Sequence, residues 1–262
     1  MGLPSSLCVR YIGGPTAVLE LGGLRLLTDP TFDPPGDYPI GSRVLTKTAP
    51  PSVPPAAIGV LDAVLLSHDQ HPDNLDRLGR EQLARVPLVL STASAHGRLG
   101  DAVRVLPNWS TVELARPDGG VLRITGVPAQ HGPDGTEHLV GEVTGFVLSG
   151  TDLPTVYVSG DNASLGVVRA IAERYRRIDV AVIFAGAAQT GLVPNGYLTL
   201  TSELAVEAGR LLGAPTVIAL HFEGWAHFTQ GRDSLRQAFA RVGASDALRL
   251  PDEGGDVFGR CV

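Results

Sequence analysis

The sequence predicts an α/β protein with mixed β-sheets. Short apolar runs bounded by Gly, Pro or polar residues, such as residues 61–66 and 179–184, indicate buried strands. Amphipathic patterns with the helical period, such as residues 204–212, follow several of these runs. Because the two patterns alternate without an internal repeat or linker, we expect one domain over residues 1–262.

The composition is that of an ordinary globular protein and argues against two kinds of partner. Hydrophobic residues make up 44% of the 262 residues and charged residues 18%. The net charge of −6 argues against a nucleic-acid partner, because such partners are held by clustered Lys and Arg. No apolar run approaches the roughly 20 residues of a membrane span, and no signal peptide is visible. We therefore expect a cytoplasmic protein with no membrane span.

The two cysteines, Cys8 and Cys261, lie near opposite ends of the chain. Neither belongs to a C-x-x-C pair, and a disulfide framework needs more cysteines. A link between the two ends is one interpretation, but free thiols in a reducing compartment are the expectation.

The first sixty residues begin as strands and then lose their periodicity. Predicted strands are residues 7–12, 16–21 and 24–28. Gly22-Gly23 indicates a hairpin turn, and Asp29 either starts a turn, which we favour, or orients a ligand. Residues 32–59 are rich in Pro and Gly, so a long loop that borders a pocket is expected. Arg43 is the candidate in this loop for binding an anion, with a surface ion pair as the alternative.

Beyond residue 60 the strand and helix patterns alternate. Predicted strands are residues 61–66, 88–90, 103–106, 111–114, 121–127, 145–148, 155–158, 179–184, 216–220 and 248–250. Predicted helices cover about residues 75–84, 94–99, 164–175, 204–212 and 233–242. Ser164 is expected to cap one helix, and Gly213 is expected to end another.

One predicted strand ends in a dense group of ionisable side chains. The run from Val64 to Asp76 reads V-L-L-S-H-D-Q-H-P-D-N-L-D. Imidazole and carboxylate groups together suit zinc, manganese or iron, so this turn is a candidate metal site. The alternative is a solvated loop in which Asn74 caps the next helix.

Three further strand ends deliver the same kinds of side chain. His131, Asp161 and His221 each follow a predicted apolar strand. One such residue is ordinary, but four strand ends carrying His or Asp in a chain with 7 His are harder to explain separately. We therefore expect the four ends to form one distributed metal site.

These residues identify the chain as similar to the metallo-β-lactamase superfamily, and within it to the branch of L-ascorbate-6-phosphate lactonase and N-acyl-phosphatidylethanolamine phospholipase D. The resemblance lies in Leu27-Thr28-Asp29-Pro30, Leu65 to Asp76, Val127 to His131, Tyr157 to Asp161 and Ala219 to Phe222, in the order of the family. It implies an αββα four-layer sandwich, two mixed β-sheets flanked by helices. It also implies a metal-dependent hydrolase with up to two metal ions.

The resemblance also assigns ligands. One metal would take His68, His71 and His131, and the other would take Asp73 and His221, with Asp161 bridging the two. The ions would be Zn²⁺, one or two per chain, with Mn²⁺ or Fe²⁺ as alternatives.

Two departures from the family motif affect these ligands. The usual run is H-x-H-x-D-H, whereas this chain has H-x-x-H-x-D-N. Either His68 reaches the metal across one extra residue or Asp69 replaces it, and the preceding Leu65-Leu66-Ser67 favours His68. Asn74 stands where the motif has His, and because an amide is a poorer ligand than imidazole, we expect the second metal to be weak or absent.

The expected chemistry is hydrolysis by a metal-bound hydroxide. A divalent ion lowers the pKa of its water to about 7. Asp73 would orient the hydroxide and carry its proton, and His227 would stabilise the oxyanion unless it is merely a packing residue. A small ester, lactone or phosphoester is the expected substrate. The alternatives are a phosphodiesterase or nuclease of the same superfamily, or a member that binds a ligand without turnover.

Overall fold

Two mixed β-sheets lie face to face in the computed structural model, which describes residues 7–252, 255–259 and 261. The strands are β1 (Leu7–Gly13), β2 (Thr16–Leu21), β3 (Leu24–Thr28), β4 (Gly36–Ile40), β5 (Arg43–Lys47), β6 (Ala63–Leu65), β7 (Val89–Ser91), β8 (Arg104–Val105), β9 (Thr111–Ala115), β10 (Val121–Pro128), β11 (Thr144–Ser149), β12 (Val156–Val158), β13 (Val180–Phe184), β14 (Thr216–Leu220), β15 (Leu248–Arg249) and β16 (Asp256–Phe258). The helices are α1 (Arg77–Leu83), α2 (Ala93–Leu99), α3 (Glu137–Val140), α4 (Leu165–Arg174), α5 (Ser202–Leu212) and α6 (Arg232–Arg241).

Each sheet combines an antiparallel and a parallel half. The first sheet has the order β16-β1-β2-β3-β6-β7-β8, and the second has the order β15-β14-β13-β12-β11-β10-β9. Strands β3, β6, β7 and β8 are parallel neighbours, as are β12, β13, β14 and β15. Because parallel strands end at the same edge of a sheet, the polar residues that follow β6, β12 and β14 are brought to one side of the molecule.

The buried apolar residues form three core layers, one between the two sheets and one between each sheet and its helices. Side chains alternate along each strand, so Val182 faces the core between the sheets while Ala181 and Ile183 face α4, α5 and α6. On the other side, Val64 and Leu66 pack against residues of α1 and α2. The resulting helix–sheet–sheet–helix order confirms the predicted αββα fold.

Several local predictions are confirmed. The Gly22-Gly23 turn joins β2 to β3 with Leu21 paired to Leu24. Ser164 caps α4 by accepting from the Val167 N–H, and Gly213 ends α5 in the left-handed conformation at φ 61°. These signals succeeded because each depends on a few neighbouring residues.

Two predictions about the chain were wrong. Cys8 and Cys261 are not free thiols but form a disulfide, with Cα atoms 5.2 Å apart. The sequence could not reveal this, because the pairing depends on β16 lying beside β1. The predicted loop at residues 32–59 contains the hairpin β4–β5, whose strands meet at Gly41-Ser42. Pro39 inside β4 hid this strand, since Pro is unusual in a paired strand.

Candidate metal centre

The four predicted strand ends converge at one edge of the sandwich. β6 leads to His68 and His71, β10 leads to His131, β12 leads to Asp161, and β14 leads directly to His221. The structure therefore brings together all of the predicted metal ligands, in two neighbouring groups of donor atoms.

The first group consists of His68, His71 and His131. The Nε2 atom of His68 lies 2.9 Å from Nδ1 of His71, and Nε2 of His131 lies 3.3 Å from the same Nδ1. In a tetrahedral zinc site with Zn–N bonds of about 2.05 Å, donor atoms are about 3.3 Å apart. The spacing of the three nitrogens therefore fits a shared metal ion.

Neighbouring groups fix the orientation of these rings. The Nδ1–H of His131 donates to the carbonyl of Leu198 at 2.9 Å, which orients Nε2 toward His71. The Nδ1 atom of His68 lies 2.9 Å from the Ser67 hydroxyl. Oriented imidazoles of this kind are typical of metal ligands.

Asp29 supports the same group from the adjacent strand. Its buried carboxylate accepts the backbone N–H of Ser67 at 2.6 Å, directly before His68. Burial, together with the charge of Asp161, raises the pKa of Asp29 well above its ordinary value. The chain bends at Asp29, and the carboxylate also positions the residue before His68, a role that the sequence analysis gave as the alternative to a turn.

The second group consists of Asp73, Asp161 and His221. The Nδ1 atom of His221 lies 2.9 Å from Oδ1 of Asp161, and its Nε2 lies 3.3 Å from Oδ2 of Asp73. The other oxygen of Asp161 is 3.9 Å from Nε2 of His68 and 3.9 Å from Nδ1 of His131. Asp161 therefore lies between the two groups, where the bridging ligand was expected.

The backbone holds His221 in an unusual conformation. Its φ is 54°, in the left-handed region, and its N–H donates at 2.9 Å to the carbonyl of Gly14, in the turn between β1 and β2 of the other sheet. Such conformations are uncommon outside Gly and are concentrated at functional sites. The contact to Gly14 fixes this ligand position across the two sheets.

The structure also resolves the extra residue in the motif. Asp69 is turned away from the donor groups, and both of its carboxylate oxygens accept from Nε of Arg98, at 3.0 and 2.8 Å. Gln70 also points away, toward the carbonyls of Val140 and Glu142. Because these two residues face outward, His68 reaches the first group, as the sequence favoured.

Asn74 does not cap the following helix. Asp76 does so, by accepting the N–H of Gly79 at 2.8 Å. The fully buried Asn74 instead turns inward, and its Nδ2 donates to Oδ1 of Asp161 at 3.3 Å. The chain thus leaves an amide where the family motif has an imidazole.

His227 lies next to the second group. Its Nε2 is 3.0 Å from Oδ2 of Asp73, and its ring packs against Phe228 with centroids 4.5 Å apart. The side chain is 13% exposed and lines the same small cavity as His71, Asp73 and His131. The structure thus places His227 beside Asp73 at this cavity, and its role in catalysis stays a prediction.

The electrostatics of the two groups differ. Burial and the charge of His131 lower the pKa of His71 to about 4, and burial lowers the pKa of His68 well below its ordinary value. Burial opposes the charged form of His221, but Asp161 and Asp73 outweigh it and raise the pKa of His221 to about 10. The lowered pKa values keep His68 and His71 neutral, whereas the second group needs a positive charge between its carboxylates.

The donor atoms themselves fit a divalent ion. Several buried polar atoms here lack a hydrogen-bond partner within the described chain: Asp73 Oδ1, Asn74 Oδ1, both ring nitrogens of His221, and His227 Nδ1. Buried polar atoms are rarely left unpaired, because each costs about 1–3 kcal/mol. His221 lies within bonding distance of two carboxylates without hydrogen-bond geometry, which is the arrangement expected of ligands that share an ion.

The β4–β5 hairpin covers this edge of the sandwich, which the sequence did not predict. Ile40, Arg43 and Leu45 line the cavity above His71 and Asp73, which is partly open to solvent and has about 20 Å³ of room for water. The signal that could have found the hairpin is the alternation of Tyr38, Ile40, Arg43, Leu45 and Lys47 around the Gly41-Ser42 turn.

A two-sheet sandwich with His and Asp donors at its strand ends is the architecture of αββα metalloproteins. Residues 24–222 match the family model of the beta-lactamase superfamily domain. A UPF0173 metal-dependent hydrolase of Methanosphaerula palustris is 34% identical over 251 residues, which cover 92% of this chain and 95% of the relative. The chain therefore belongs to the beta-lactamase superfamily and, within it, to a family of metal-dependent hydrolases.

Solved structures support the same fold. The isothiocyanate hydrolase from Delia radicum gut bacteria superposes with a TM-score of 0.81 at 24% identity, over 97% of this chain and 100% of that one. A possible metal-dependent hydrolase from Veillonella parvula gives a TM-score of 0.79 at 19% identity, over 95% and 98% of the two chains. At such identities the likeness speaks for the fold alone.

These findings confirm the predicted superfamily and the prediction that the protein is an enzyme. Among the described residues, no helix has the length and apolar character needed to cross a membrane.

Proposed function

We propose that the protein hydrolyses a small ester, lactone or phosphoester with one or two divalent metal ions held by the two donor groups. The observation that carries this proposal is the convergence of six His and Asp side chains, within two sets of donor atoms no more than 4.8 Å apart, at one strand-end edge. Zn²⁺ suits this mixture of imidazole and carboxylate, with Mn²⁺ and Fe²⁺ as alternatives.

In this proposal the first group holds the tighter ion. His68, His71 and His131 supply three oriented ring nitrogens, and a three-histidine site leaves a position open for water. Asp73, Asp161 and His221 hold the second ion. This ion is weaker because Asn74 offers an amide, with one unpaired oxygen, in place of an imidazole.

A bound ion supplies one thing to the reaction: it lowers the pKa of water to about 7. The protein side chains do the rest. Burial opposes the charge of Asp73, but His227 and His221 lower its pKa well below the ordinary value, so Asp73 is ionised and can orient a bound water by accepting its hydrogen bond. Its Oδ1 has no partner among the described residues and is the atom available for that hydrogen bond.

His227 positions Asp73 and faces the substrate. Because Nε2 of His227 lies 3.0 Å from Oδ2 of Asp73, the imidazole can hold the carboxylate in place, and Oδ1 is left available to the bound water. His227 also lines the cavity, where its imidazole would stabilise negative charge developing on a substrate oxygen.

The covered cavity favours a small substrate over a polymer. The space beneath the hairpin is about 20 Å³, room for roughly one water, and the net charge is −6. A polynucleotide would need an open basic groove instead. The resemblance to the lactonase and phospholipase D branch also favours a lactone or phosphoester over other substrates.

Metal analysis tests the proposal. Protein purified without chelators is expected to hold at least about one transition metal per chain. His131→Ala should remove the tighter ion, and Asp161→Ala should reduce the metal content further, whereas His138→Ala, a change at an exposed histidine, should leave it unchanged. A metal content well below one per chain, unaffected by His131→Ala or Asp161→Ala, would refute the metal-dependent mechanism.

A substrate screen completes the test. The metal-loaded protein is assayed against lactones, carboxylic esters and model phosphodiesters, with the His131→Ala variant as the inactive control. Hydrolysis of at least one class that His131→Ala abolishes is expected. Metal binding without any hydrolysis would favour a ligand-binding role instead.

A further inference from the structure

The hairpin places one cation directly over the donor groups. Along β5 the inward-facing residues are Arg43, Leu45 and Lys47, because side chains alternate between the two faces of a strand. Lys47 is buried at the base of the hairpin, whereas Arg43 lies near its tip and lines the cavity together with His71, Asp73 and His227.

The guanidinium of Arg43 contacts a neutral hydroxyl and pairs with no carboxylate among the described residues. Its Nη1 donates to the hydroxyl of Thr190 at 2.6 Å. Within the described chain it forms no ion pair, unlike Arg98, which pairs with a carboxylate. Guanidinium groups carry five N–H donors and prefer planar oxyanions, so Arg43 has capacity for a charged partner.

The hairpin residues that line the cavity indicate the chemical class of that partner. Ile40 and Leu45 are the apolar residues of the hairpin that line the cavity, and Arg43 is the only arginine or lysine among the described residues along its walls. A ligand that contacts this face therefore meets apolar surface and a single fixed positive charge. The acidic side chains of the cavity, Asp73 and Asp161, already face His221 and are not available to neutralise Arg43.

We propose that Arg43 binds an oxyanion of the substrate, a carboxylate or a phosphate, while Ile40 and Leu45 contact its apolar part. This inference rests on the proposed hydrolase function and narrows its substrate class to anionic esters, lactones or phosphoesters. An oxyanion replaces the Thr190 hydroxyl as the acceptor, because a charged acceptor bonds guanidinium about twice as strongly as a neutral one.

Anion binding tests this without relying on turnover. Acetate and inorganic phosphate are titrated by calorimetry into zinc-loaded wild type, Arg43→Gln and Arg80→Gln, the last being a matched change at an exposed helical arginine. Arg43→Gln is expected to raise the Kd about tenfold to a hundredfold, whereas Arg80→Gln leaves it unchanged. The anion with the larger loss identifies the preferred group. No binding by wild type, or equal binding by Arg43→Gln, overturns the role of Arg43.

Kinetics on a matched pair of esters separates the two proposals. 4-Nitrophenyl butyrate and mono-4-nitrophenyl succinate differ in a terminal methyl against a carboxylate. Arg43→Gln should lower kcat/KM for the succinate ester about tenfold or more relative to kcat/KM for the butyrate ester. An equal effect on both esters, with metal content unchanged, overturns the anion assignment while hydrolysis of the butyrate ester leaves the hydrolase proposal standing.

Discussion

The buried ion pair between Lys47 and Asp76 is the contact that we expect to hold the hairpin in place. Lys47 is the only lysine of the chain, and its side chain is 4% exposed, with Nζ 3.4 Å from Oδ2 of Asp76, which is 1% exposed. Backbone bonds from Ala226 to Thr46 and from Thr48 to Gly224 tie the same hairpin base to the segment that carries His227. Asp76 also caps α1, so the pair links the β4–β5 hairpin to the turn that carries His71 and Asp73.

The change Lys47→Met removes one partner and leaves Asp76 buried. At 3.4 Å and an effective dielectric constant of about 20, the attraction is about 5 kcal/mol. Breaking a buried pair costs about 3–5 kcal/mol, because the remaining charge is uncompensated. Asp76 keeps the N–H groups of Asp33 and Gly79, at 2.6 and 2.8 Å, so we expect the lower end, about 3 kcal/mol.

Thermal and urea unfolding of metal-free protein measure this loss. A decrease of about 3 kcal/mol corresponds to about 6–12 °C in Tm for a chain of this size. The control Arg85→Met, at an exposed position, should change the free energy of unfolding by less than about 0.5 kcal/mol. The double variant Lys47→Met/Asp76→Asn should recover part of the loss, since no charge is then buried alone. If Lys47→Met unfolds like wild type, the pair does not stabilise the hairpin and this reasoning fails.

Three further predictions follow from buried groups. Asn74→His should increase the affinity of the second donor group for metal, measured by metal titration. Because Asn74 is fully buried, the larger side chain should also lower the stability of the metal-free protein by about 1–3 kcal/mol through overpacking. An unchanged metal affinity would show that residue 74 does not limit metal binding at that group. Tyr157→Phe removes a buried hydroxyl that lacks a described partner and should stabilise the fold by about 1 kcal/mol. Because burial raises the pKa of Tyr157, the wild type should lose stability as the pH rises above the tyrosine pKa of the unfolded chain, near 10. Tyr157→Phe should lose less stability over the same pH range. Parallel pH profiles of the two proteins in urea unfolding would contradict this. Replacing Cys8 and Cys261 by Ser should lower the free energy of unfolding by about 2–4 kcal/mol, and titration of unfolded, unreduced wild type should find no thiol.

The sequence indicated that the donor residues share one edge because each predicted ligand follows a short apolar strand. A strand such as β14 is recognisable from five apolar or β-branched residues, and its last residue lies at a fixed place relative to the next polar side chain. His131, Asp161 and His221 could therefore be assigned to a common edge without knowledge of the tertiary structure. The same local logic identified the Gly22-Gly23 hairpin and the Ser164 cap.

The hairpin and its contacts could not be predicted in this way. Arg43 meets Thr190 across 147 residues, and Lys47 meets Asp76 across 29. Nothing near Arg43 in the sequence separates a residue over the cavity from one in a surface ion pair. The disulfide was missed for the same reason, since its partners are 253 residues apart.

The geometry of the altered motif depends both on residues next to it in the sequence and on residues far from it. From the spacing alone, His68 and Asp69 were both candidates for the first ligand position. Arg98, which lies 29 residues from Asp69, pairs with that carboxylate and holds it away from the donor groups. The extra residue is thus accommodated on the outside of the turn, while the backbone N–H of Ser67, held by Asp29, keeps His68 aligned with β6. Replacement of Arg98 would free a buried carboxylate only one residue from His68, so the ligand spacing depends on a contact that the motif itself does not contain.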